Sequence, residues 1–244
     1  MSGDDWDAHW RRLAVWMLAN PAYRYRRDLI WRALALEEAR APVRLVDIGC
    51  GEGSFAAALA ERRPEIAIAG YDGSAQGIAT AARRVPAGRF FATDLAAPPV
   101  ELRGWATHAL CAEAIEHLDR PIEALAAARE LLAAEGRMVI TVPAGPISAF
   151  DRHVGHRKHY TEAILRAELA AAGLAADFVW RAGFPFHTLY RLVVVLRGGQ
   201  AVEDSAAPAR GLQALAFRAF DALFRFNLRD APLGWQIVAR VRRA

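Results

Sequence analysis

The segment Val46-Asp47-Ile48-Gly49-Cys50-Gly51-Glu52-Gly53 decides how this chain folds. An apolar run over residues 43–48 predicts a buried strand, and apolar residues recur at helical spacing from about residue 55. The glycines between them allow a sharp turn and a close approach of the backbone to a ligand. No Gly-Lys-Ser/Thr follows, which excludes a P-loop, and Ser54 stands where a dinucleotide-type loop has its third glycine.

Strands and helices alternate along the chain after this loop. Further strands are predicted at residues 66–71, 89–93, 106–111, 137–142, 178–180 and 235–241, with helices between most of them. The predicted fold is α/β: a Rossmann-like, doubly wound, mostly parallel seven-stranded sheet with an N-terminal helical pair and a C-terminal helical insertion before the last strand. Ligands of such sheets bind beyond the carboxyl ends of the strands, so functional residues are expected directly after them.

Three segments are expected. Residues 1–40 form an N-terminal helical segment, because Trp6, Trp10, Leu13 and Met17 recur at helical spacing and Asn20-Pro21 starts a second helix. Residues 41–183 form the Rossmann-like core. Residues 184–244 form a helical cap and the closing strand of the same domain.

Composition excludes several classes of protein. The 244 residues are 54% hydrophobic and 24% charged, with two cysteines and a net charge of +4, which disfavours both disorder and a disulfide framework. No apolar run approaches the roughly 18–20 residues of a membrane-spanning helix, and the acidic N-terminus does not resemble a secretory signal. A cytoplasmic location is therefore expected. Because the positive charges are dispersed among acidic residues, a nucleic-acid surface is disfavoured despite a pI of about 9.5.

Two acidic residues follow later strands at informative positions. Asp72 lies twenty-three residues beyond Gly49 at the end of the second strand, where a carboxylate can bind ribose hydroxyls, and Asp94 ends the third strand. Residues 43–173 thereby resemble class I S-adenosylmethionine (SAM)-dependent methyltransferases. The resemblance implies SAM as cofactor. It implies the following cofactor-binding residues: Asp47, Gly49, Cys50, Gly51, Gly53, Asp72, Gly73, Asp94, Leu95 and Glu113.

A second motif follows the fourth strand. Residues 111–118 read Cys-Ala-Glu-Ala-Ile-Glu-His-Leu, which resembles the Glu-x-x-Glu-His-Leu segment of ubiquinone-type O-methyltransferases. In the small-RNA 2′-O-methyltransferases this segment and a later histidine bind a divalent ion. That resemblance implies Mg²⁺, Mn²⁺ or Zn²⁺ on Glu113, Glu116, His117 and His156. The alternative is that no metal binds, that Glu113 and His117 shape the floor of the SAM pocket, and that Glu116 has a structural role.

These motifs predict O-methylation of a small-molecule hydroxyl, with His117 or His156 as general base or a bound metal ion that activates the acceptor. RNA methylation, and N- or C-methylation of a small molecule, are alternatives. A planar or apolar acceptor is indicated by aromatic residues outside the shared core, although packing in the protein core explains them equally well: Trp31, Phe184, Phe186, Tyr190 and Phe220. Phenylalanines and arginines over residues 212–229 leave contact with a membrane surface as a weaker hypothesis, against packing over the pocket. Nothing in the sequence determines the oligomeric state.

Overall fold

Seven strands form a single sheet in the structure, a computed structural model that describes residues 20–39, 42–200 and 211–244. They are β1 (Arg44–Ile48), β2 (Ala67–Asp72), β3 (Arg89–Ala92), β4 (Ala106–Ala112), β5 (Leu132–Pro143), β6 (Leu174–Ala182) and β7 (Gln236–Arg243). Their order across the sheet is β3-β2-β1-β4-β5-β7-β6. Neighbouring strands are parallel, except that β7 is antiparallel to both β5 and β6. The predicted doubly wound, mostly parallel sheet is confirmed.

Eight α-helices lie among the described residues, and several of them begin at a residue whose side chain caps the helix. They are α1 (Pro21–Leu34), α2 (Ser54–Arg62), α3 (Ala75–Arg84), α4 (Pro121–Arg129), α5 (Ala149–His153), α6 (Glu162–Ala171), α7 (Phe186–Arg197) and α8 (Gly211–Leu223). The side chains of Asn20, Ser74 and Thr161 accept hydrogen bonds from the first turns of α1, α3 and α6, which satisfies amide groups that no helical carbonyl can reach.

The direction in which successive strands are added to the sheet reverses at β1. The chain runs outward from β1 through β2 to β3, and it then returns to place β4 on the other side of β1. The carboxyl ends of β1 and β4 lie side by side, because Ile48 pairs in register with Cys111. The glycine loop after β1 and the acidic segment after β4 therefore open into the same crevice.

Helices cover both faces of the sheet, which explains why its central strands are apolar almost throughout. Val46 and Ile48 point into one buried cluster, with Leu125 of α4 and Leu165 of α6. Leu45, between them in sequence, points to the opposite cluster, which includes residues of α1 and α2. Alternate side chains of a strand point to opposite faces, so a strand covered on both sides needs apolar residues at nearly every position.

The C-terminal helical insertion packs onto the N-terminal helix. Tyr190 of α7, Phe217 of α8 and Phe224 form a small apolar cluster with Ala22 of α1. The Tyr190 hydroxyl also donates a hydrogen bond to Asn20 Oδ1 at 3.1 Å. These contacts place α1 and α7 together over the carboxyl edge of the sheet.

Some predicted elements differ from those observed. The segment 143–160, whose glycine, proline and histidine residues favour a loop, contains α5, because Ser148 and Asp151 form a reciprocal capping box. The strand expected at 178–180 extends over Leu174–Ala182, because it pairs with β7 along its length. The apolar segment 186–196, whose pattern is compatible with either a helix or a strand, is helix α7. The predicted first helix of the N-terminal pair, with Trp6 to Met17, lies outside the described residues, as do residues 201–210.

Among the described helices, none has both the length and the apolar character needed to cross a bilayer.

Candidate active site

The glycine loop after β1 has a shape that only glycine permits at two of its positions. Gly49 and Gly53 have left-handed backbone, with φ of 69° and 74°. A Cβ atom at Gly49 would lie 2.9 Å from the Cβ of Ala114, and one at Gly53 would lie 2.7 Å from the Cβ of Ala81. The Gly49 amide donates to the Tyr71 carbonyl at 2.9 Å. The loop is thus folded tightly against β2 and α3, and any side chain at these positions would displace it.

Two buried carboxyl groups flank the loop. Asp72 accepts hydrogen bonds from the amides of Gly51 at 2.9 Å and of Ser74 at 2.8 Å. Asp47 is buried on β1. Its burial, together with the negative charge of Asp72, raises the pKa of Asp47 to about 7. A cationic ligand placed here would favour the charged form of Asp47, so the pair suits a ligand with positive charge.

Asp94, beyond the end of β3, is exposed and accepts a hydrogen bond from the Ala96 amide at 2.8 Å. Leu95 beside it is half-buried. A Cβ atom added at Gly73 would meet no atom within 4 Å. This side of the crevice therefore has open space next to Gly73.

A cavity of about 680 Å³ occupies the crevice between the sheet edge and helices α1 and α7. Eight of the ten predicted cofactor residues line it: Asp47, Gly49, Cys50, Asp72, Gly73, Asp94, Leu95 and Glu113. The other two, Gly51 and Gly53, are not among its lining residues and shape the loop behind it. Both predicted histidines, His117 and His156, line the same cavity. The structure thus brings the SAM motif and the histidine motif to one space.

Glu113 is held in a strained position at the wall of this cavity. Its backbone is left-handed, with φ of 52°, which is uncommon for a residue with a side chain. Its carboxylate forms an ion pair with Arg26 of α1. It also accepts hydrogen bonds from Thr141 Oγ1 at 3.1 Å and from Gln236 Nε2 at 2.9 Å. Three partners from three separate elements therefore determine where this carboxylate lies.

Glu116, His117 and His156 form a compact cluster whose potential ligand atoms all lie within 4.8 Å of one another. Glu116 is fully buried, and neither carboxylate oxygen has a hydrogen-bond partner among the described residues. Burial, with a further contribution from the charge of Glu113, raises the pKa of Glu116 well above its usual range. Burial and the neighbouring His117 lower the pKa of His156. Glu113, expected as a fourth ligand, lies outside this cluster of the described residues.

The histidine loop is attached to the rest of the site by charged groups. Asp151 of α5 accepts two hydrogen bonds from Arg191 Nη2, at 2.9 and 2.8 Å. Although burial raises it, the pKa of Asp151 is lowered overall by Arg191 and by hydrogen bonds from Ser148. Arg157 Nε donates to the carbonyl of His117 at 2.6 Å. These contacts hold the loop after β5 against the acidic segment after β4.

Four residues that the sequence prediction missed support the site: Arg26, Asp151, Arg191 and Gln236. The Ser148-x-x-Asp151 spacing of a capping box was a signal that could have identified Asp151. The other three come from helices α1 and α7 and strand β7, far from the motifs in the sequence. No local pattern marks them, because their partners are defined only by the packing of those elements on the crevice.

Comparison with known proteins identifies the class. The family described as "Methyltransferase domain" matches residues 19–177, which is more than half of the chain. The chain belongs to this family. Together with the strand order, the glycine loop and the acids that follow β2 and β3, this match defines it as a class I SAM-dependent methyltransferase.

A curated relative is the trans-aconitate 2-methyltransferase of Methylobacterium nodulans, which is 44% identical over 66 residues. That match covers 25% of this chain and 26% of the relative. A second curated match covers 54% of its relative's length. The chain thus spans about a quarter of the length of the first of these curated relatives and about half of the length of the second.

Solved structures share the fold at low sequence identity. The geranyl diphosphate C-methyltransferase of Streptomyces coelicolor, in complex with Mg²⁺, geranyl diphosphate and S-adenosylhomocysteine, has a TM-score of 0.58 and 16% identity over 89% of this chain and 78% of that one. The 1,6-didemethyltoxoflavin-N1-methyltransferase of Burkholderia thailandensis, with S-adenosylhomocysteine bound, has a TM-score of 0.55 and 17% identity over 88% and 78% of the two chains. These two neighbours methylate different kinds of atom, so the shared fold does not define the acceptor.

Proposed function

We propose that this methyltransferase transfers the methyl group of SAM to a hydroxyl oxygen of a small molecule, with a divalent cation held by Glu116, His117 and His156. The position of Glu116 carries the proposal. Its carboxyl group is fully buried, and neither oxygen has a hydrogen-bond partner among the described residues. Two imidazoles, those of His117 and His156, lie beside it. A buried carboxyl group without a hydrogen-bond partner is costly in free energy, and a cation bound in place of its proton would supply the missing partner.

The donor set fits a divalent ion better than it fits a histidine acting alone as base. Because burial holds the pKa of His156 low, this ring is a poor proton acceptor at neutral pH, whereas metal ligation requires the neutral imidazole. Two imidazoles and one carboxylate form the donor set of many catalytic zinc sites, while Mg²⁺ prefers oxygen ligands. A bound Zn²⁺ would supply the Lewis acidity that lowers the pKa of an acceptor hydroxyl.

Glu113 is assigned a different role from the one that the metal resemblance implied. Its carboxylate already has three partners, Arg26, Thr141 and Gln236. If Glu113 left these partners to bind an ion, Arg26 would lose its carboxylate partner inside the cavity. We therefore place Glu113 in the floor of the SAM pocket, which was the alternative assignment for this residue.

For SAM, which supplies an already activated methyl group, we propose the roles that the class I resemblance implies. Asp47 and the glycine loop hold the methionyl end, Asp72 the ribose hydroxyls, and Asp94 with Leu95 the adenine. Support comes from the cavity, which Asp47, Gly49, Asp72, Asp94 and Leu95 line, and from the buried acids beside the loop. The catalytic contribution of the chain is then to orient the two reactants and to exclude water, and positioning of this kind can supply about 7–11 kcal/mol.

The lining of the cavity supports a planar or apolar acceptor. Phe150, Tyr190 and Trp235 contribute aromatic surface to it. Among the arginines of the wall, Arg26 and Arg191 are each paired with a carboxylate. The ubiquinone-type O-methyltransferases are the subgroup that we propose as nearest. N- or C-methylation of a small molecule is the second candidate, since solved neighbours carry out both by name. Dispersed charge gives RNA methylation less support.

We propose residues 41–183 as the SAM-binding core, flanked by residues 1–40 and 184–244 as parts of the same domain. Both cysteines are free thiols in the structure, which supports the proposed location in the reducing cytoplasm.

Calorimetry followed by a methyl-transfer assay tests the proposal. SAM is expected to bind the purified protein, and radiolabelled methyl is expected to reach the oxygen of compounds in a panel of phenols and aromatic hydroxy acids. EDTA should abolish transfer and added Zn²⁺ should restore it. Transfer to oxygen that resists EDTA would favour the histidine-base route, and methylated nitrogen or carbon would favour the second candidate. Absence of SAM binding would overturn the proposed function as a whole.

A further inference from the structure

A chain of hydrogen bonds runs from His156 away from the metal-ligand cluster. His156 Nδ1 lies 3.0 Å from His159 Nε2. His159 Nδ1 in turn lies 3.0 Å from the carbonyl oxygen of Gly145. His156 lines the cavity, whereas His159 is not among the residues that line it. His159 therefore contacts His156 from behind, on the side away from the reacting groups.

The carbonyl at the end of this chain determines which nitrogens carry protons. A carbonyl oxygen only accepts hydrogen bonds, so His159 Nδ1 must be the donor to Gly145. A neutral imidazole carries one proton, and His159 Nε2 is then an acceptor. His156 Nδ1 must donate to it. The Nε2 atom of His156, on the other side of its ring, is left without a proton.

Both rings are buried enough to be neutral. The exposed fraction of the side chain is only 11% for His156 and 4% for His159, and placing a charge on a ring so far removed from water is costly in free energy. The nearest acid, Asp151, lies 3.9 Å from His156 Nδ1 and 3.8 Å from His159 Nε2, which is beyond hydrogen-bond distance. Its charge is balanced by Arg191, which donates to both of its oxygens. Asp151 therefore does not require a proton on either ring.

The position of the accepting carbonyl is itself constrained. Gly145 has left-handed backbone with φ of 80°, and a Cβ atom there would lie 2.6 Å from the ring of Trp235. The neighbouring amide of Ala144 donates to the Trp235 carbonyl at 2.9 Å. The turn is thus held against Trp235, and only glycine fits at this position. The chain of bonds ends on a rigid acceptor rather than on a mobile one.

We infer that His159 is a positioning residue that holds His156 in its Nδ1–H tautomer, so that the unprotonated Nε2 of His156 is presented to the Glu116–His117 cluster. A metal-binding histidine commonly has its other ring nitrogen fixed by such a partner, which orients the ring and determines the tautomer. The tautomer follows from the hydrogen bonds of two buried, neutral rings. The catalytic value of this arrangement rests on the proposed function.

Nitrogen-15 NMR of the histidine rings in the metal-free protein tests the inference directly. His156 is expected to show a protonated Nδ1 and an unprotonated Nε2, although free neutral imidazole side chains favour the opposite form in water. The chain has seven histidines, and the spectrum of the His156→Asn variant identifies the signals of His156. A wild-type His156 in the Nε2–H form would overturn the inference whether or not the protein transfers methyl groups.

Two variants of His159 separate positioning from packing. His159→Gln retains an acceptor near the place of Nε2, whereas His159→Asn retains only the group near Nδ1. We expect His159→Asn to move His156 toward the Nε2–H form and to weaken Zn²⁺ binding, measured by calorimetry with Zn²⁺ alone, by about 10- to 100-fold. His159→Gln should restore most of that affinity. SAM affinity should be unchanged in both variants.

Other outcomes are equally informative. If His159→Asn leaves His156 in the Nδ1–H form, or if both variants weaken Zn²⁺ binding equally with the tautomer unchanged, His159 has only a packing role and the inference is wrong. If the wild-type tautomer is as expected but SAM does not bind, the proposed function fails and the assignment of the tautomer stands.

Discussion

Arg26, on the first described helix, forms an ion pair with Glu113, the residue directly after β4 and 87 positions later in the chain. Glu113 has a left-handed backbone, a conformation that costs on the order of 1–3 kcal/mol when a side chain is present. The ion pair and two further hydrogen bonds hold it there. Helix α1 therefore contacts the wall of the cavity through an ion pair as well as through apolar packing.

Loss of this ion pair should destabilise the fold measurably. In Arg26→Met the aliphatic stem is kept but Glu113 loses its cationic partner, and both side chains are largely buried, at 22% and 17% exposure. We expect the free energy of unfolding in urea to fall by about 1–3 kcal/mol. The matched control is Arg63→Met, whose partner Glu65 is 58% exposed, where a change below about 1 kcal/mol is expected. Equal effects in the two variants would show that the Arg26 pair is no more than a surface contact.

Alanine substitutions at Gly53 and Gly73 should have opposite effects on stability. At Gly53 the left-handed backbone and the 2.7 Å approach to Ala81 predict a loss of about 1–3 kcal/mol in thermal or urea unfolding. At Gly73 the added methyl group meets nothing within 4 Å, so stability should be unchanged or slightly higher. Because Gly73 lines the cavity, its variant should instead lower SAM affinity in calorimetry. A stable Gly53→Ala protein would contradict the described loop geometry.

Asp47 should make stability depend on pH in an unusual direction. Its folded-state pKa is raised from 3.8 to about 7, so the folded protein binds the proton more tightly than the unfolded chain does. The contribution of Asp47 to the free energy of unfolding is therefore fully present below about pH 4, and it is lost as the pH rises from about 4 to about 7. Relative to wild type, Asp47→Asn should gain on the order of 4 kcal/mol over that interval, at 1.36 kcal/mol per pH unit.

The comparison of urea unfolding curves for wild type and Asp47→Asn at several pH values checks this prediction, since other titrating groups are common to both proteins. SAM carries positive charge, so its affinity for wild type should rise as Asp47 ionises near pH 7. A constant difference in stability between the two proteins from pH 4 to pH 8 would mean that Asp47 is charged throughout, like an ordinary aspartate.

Glutamine substitutions at Glu116 and Glu113 distinguish the cluster of three ligands from the set of four that the sequence resemblance implied. Glu116→Gln should abolish Zn²⁺ binding in calorimetry. Its metal-free stability at pH 8 should be equal to or greater than that of wild type, because a buried carboxyl without a hydrogen-bond partner is replaced by a neutral amide of similar shape. Glu113→Gln should keep Zn²⁺ affinity within a few-fold. If Glu113→Gln also loses the ion, Glu113 is a ligand after all.

Much of the scaffold could be predicted from local patterns. The glycine alternation at residues 49–53 and the carboxyl groups at Asp72 and Asp94 were sufficient to place the crevice, because each motif follows directly from the end of a strand. The lengths of β5 and β6 and the short helix α5 were predicted less well. Strand ends depend on how far the partner strand extends, and α5 depends on a capping box within a stretch rich in glycine, proline and histidine.

The sequence by itself determined the class of the protein, because the turn after β1 can be made only by glycines and the acids after β2 and β3 lie at set distances from it. Only the tertiary structure decided which partners the carboxylates and imidazoles have. Arg26 reaches Glu113, Arg191 reaches Asp151 and Gly145 accepts from His159 across long separations in the chain. Burial and hydrogen bonding, which set the charge and the tautomer of each group, are properties of packed elements and not of any local stretch of residues.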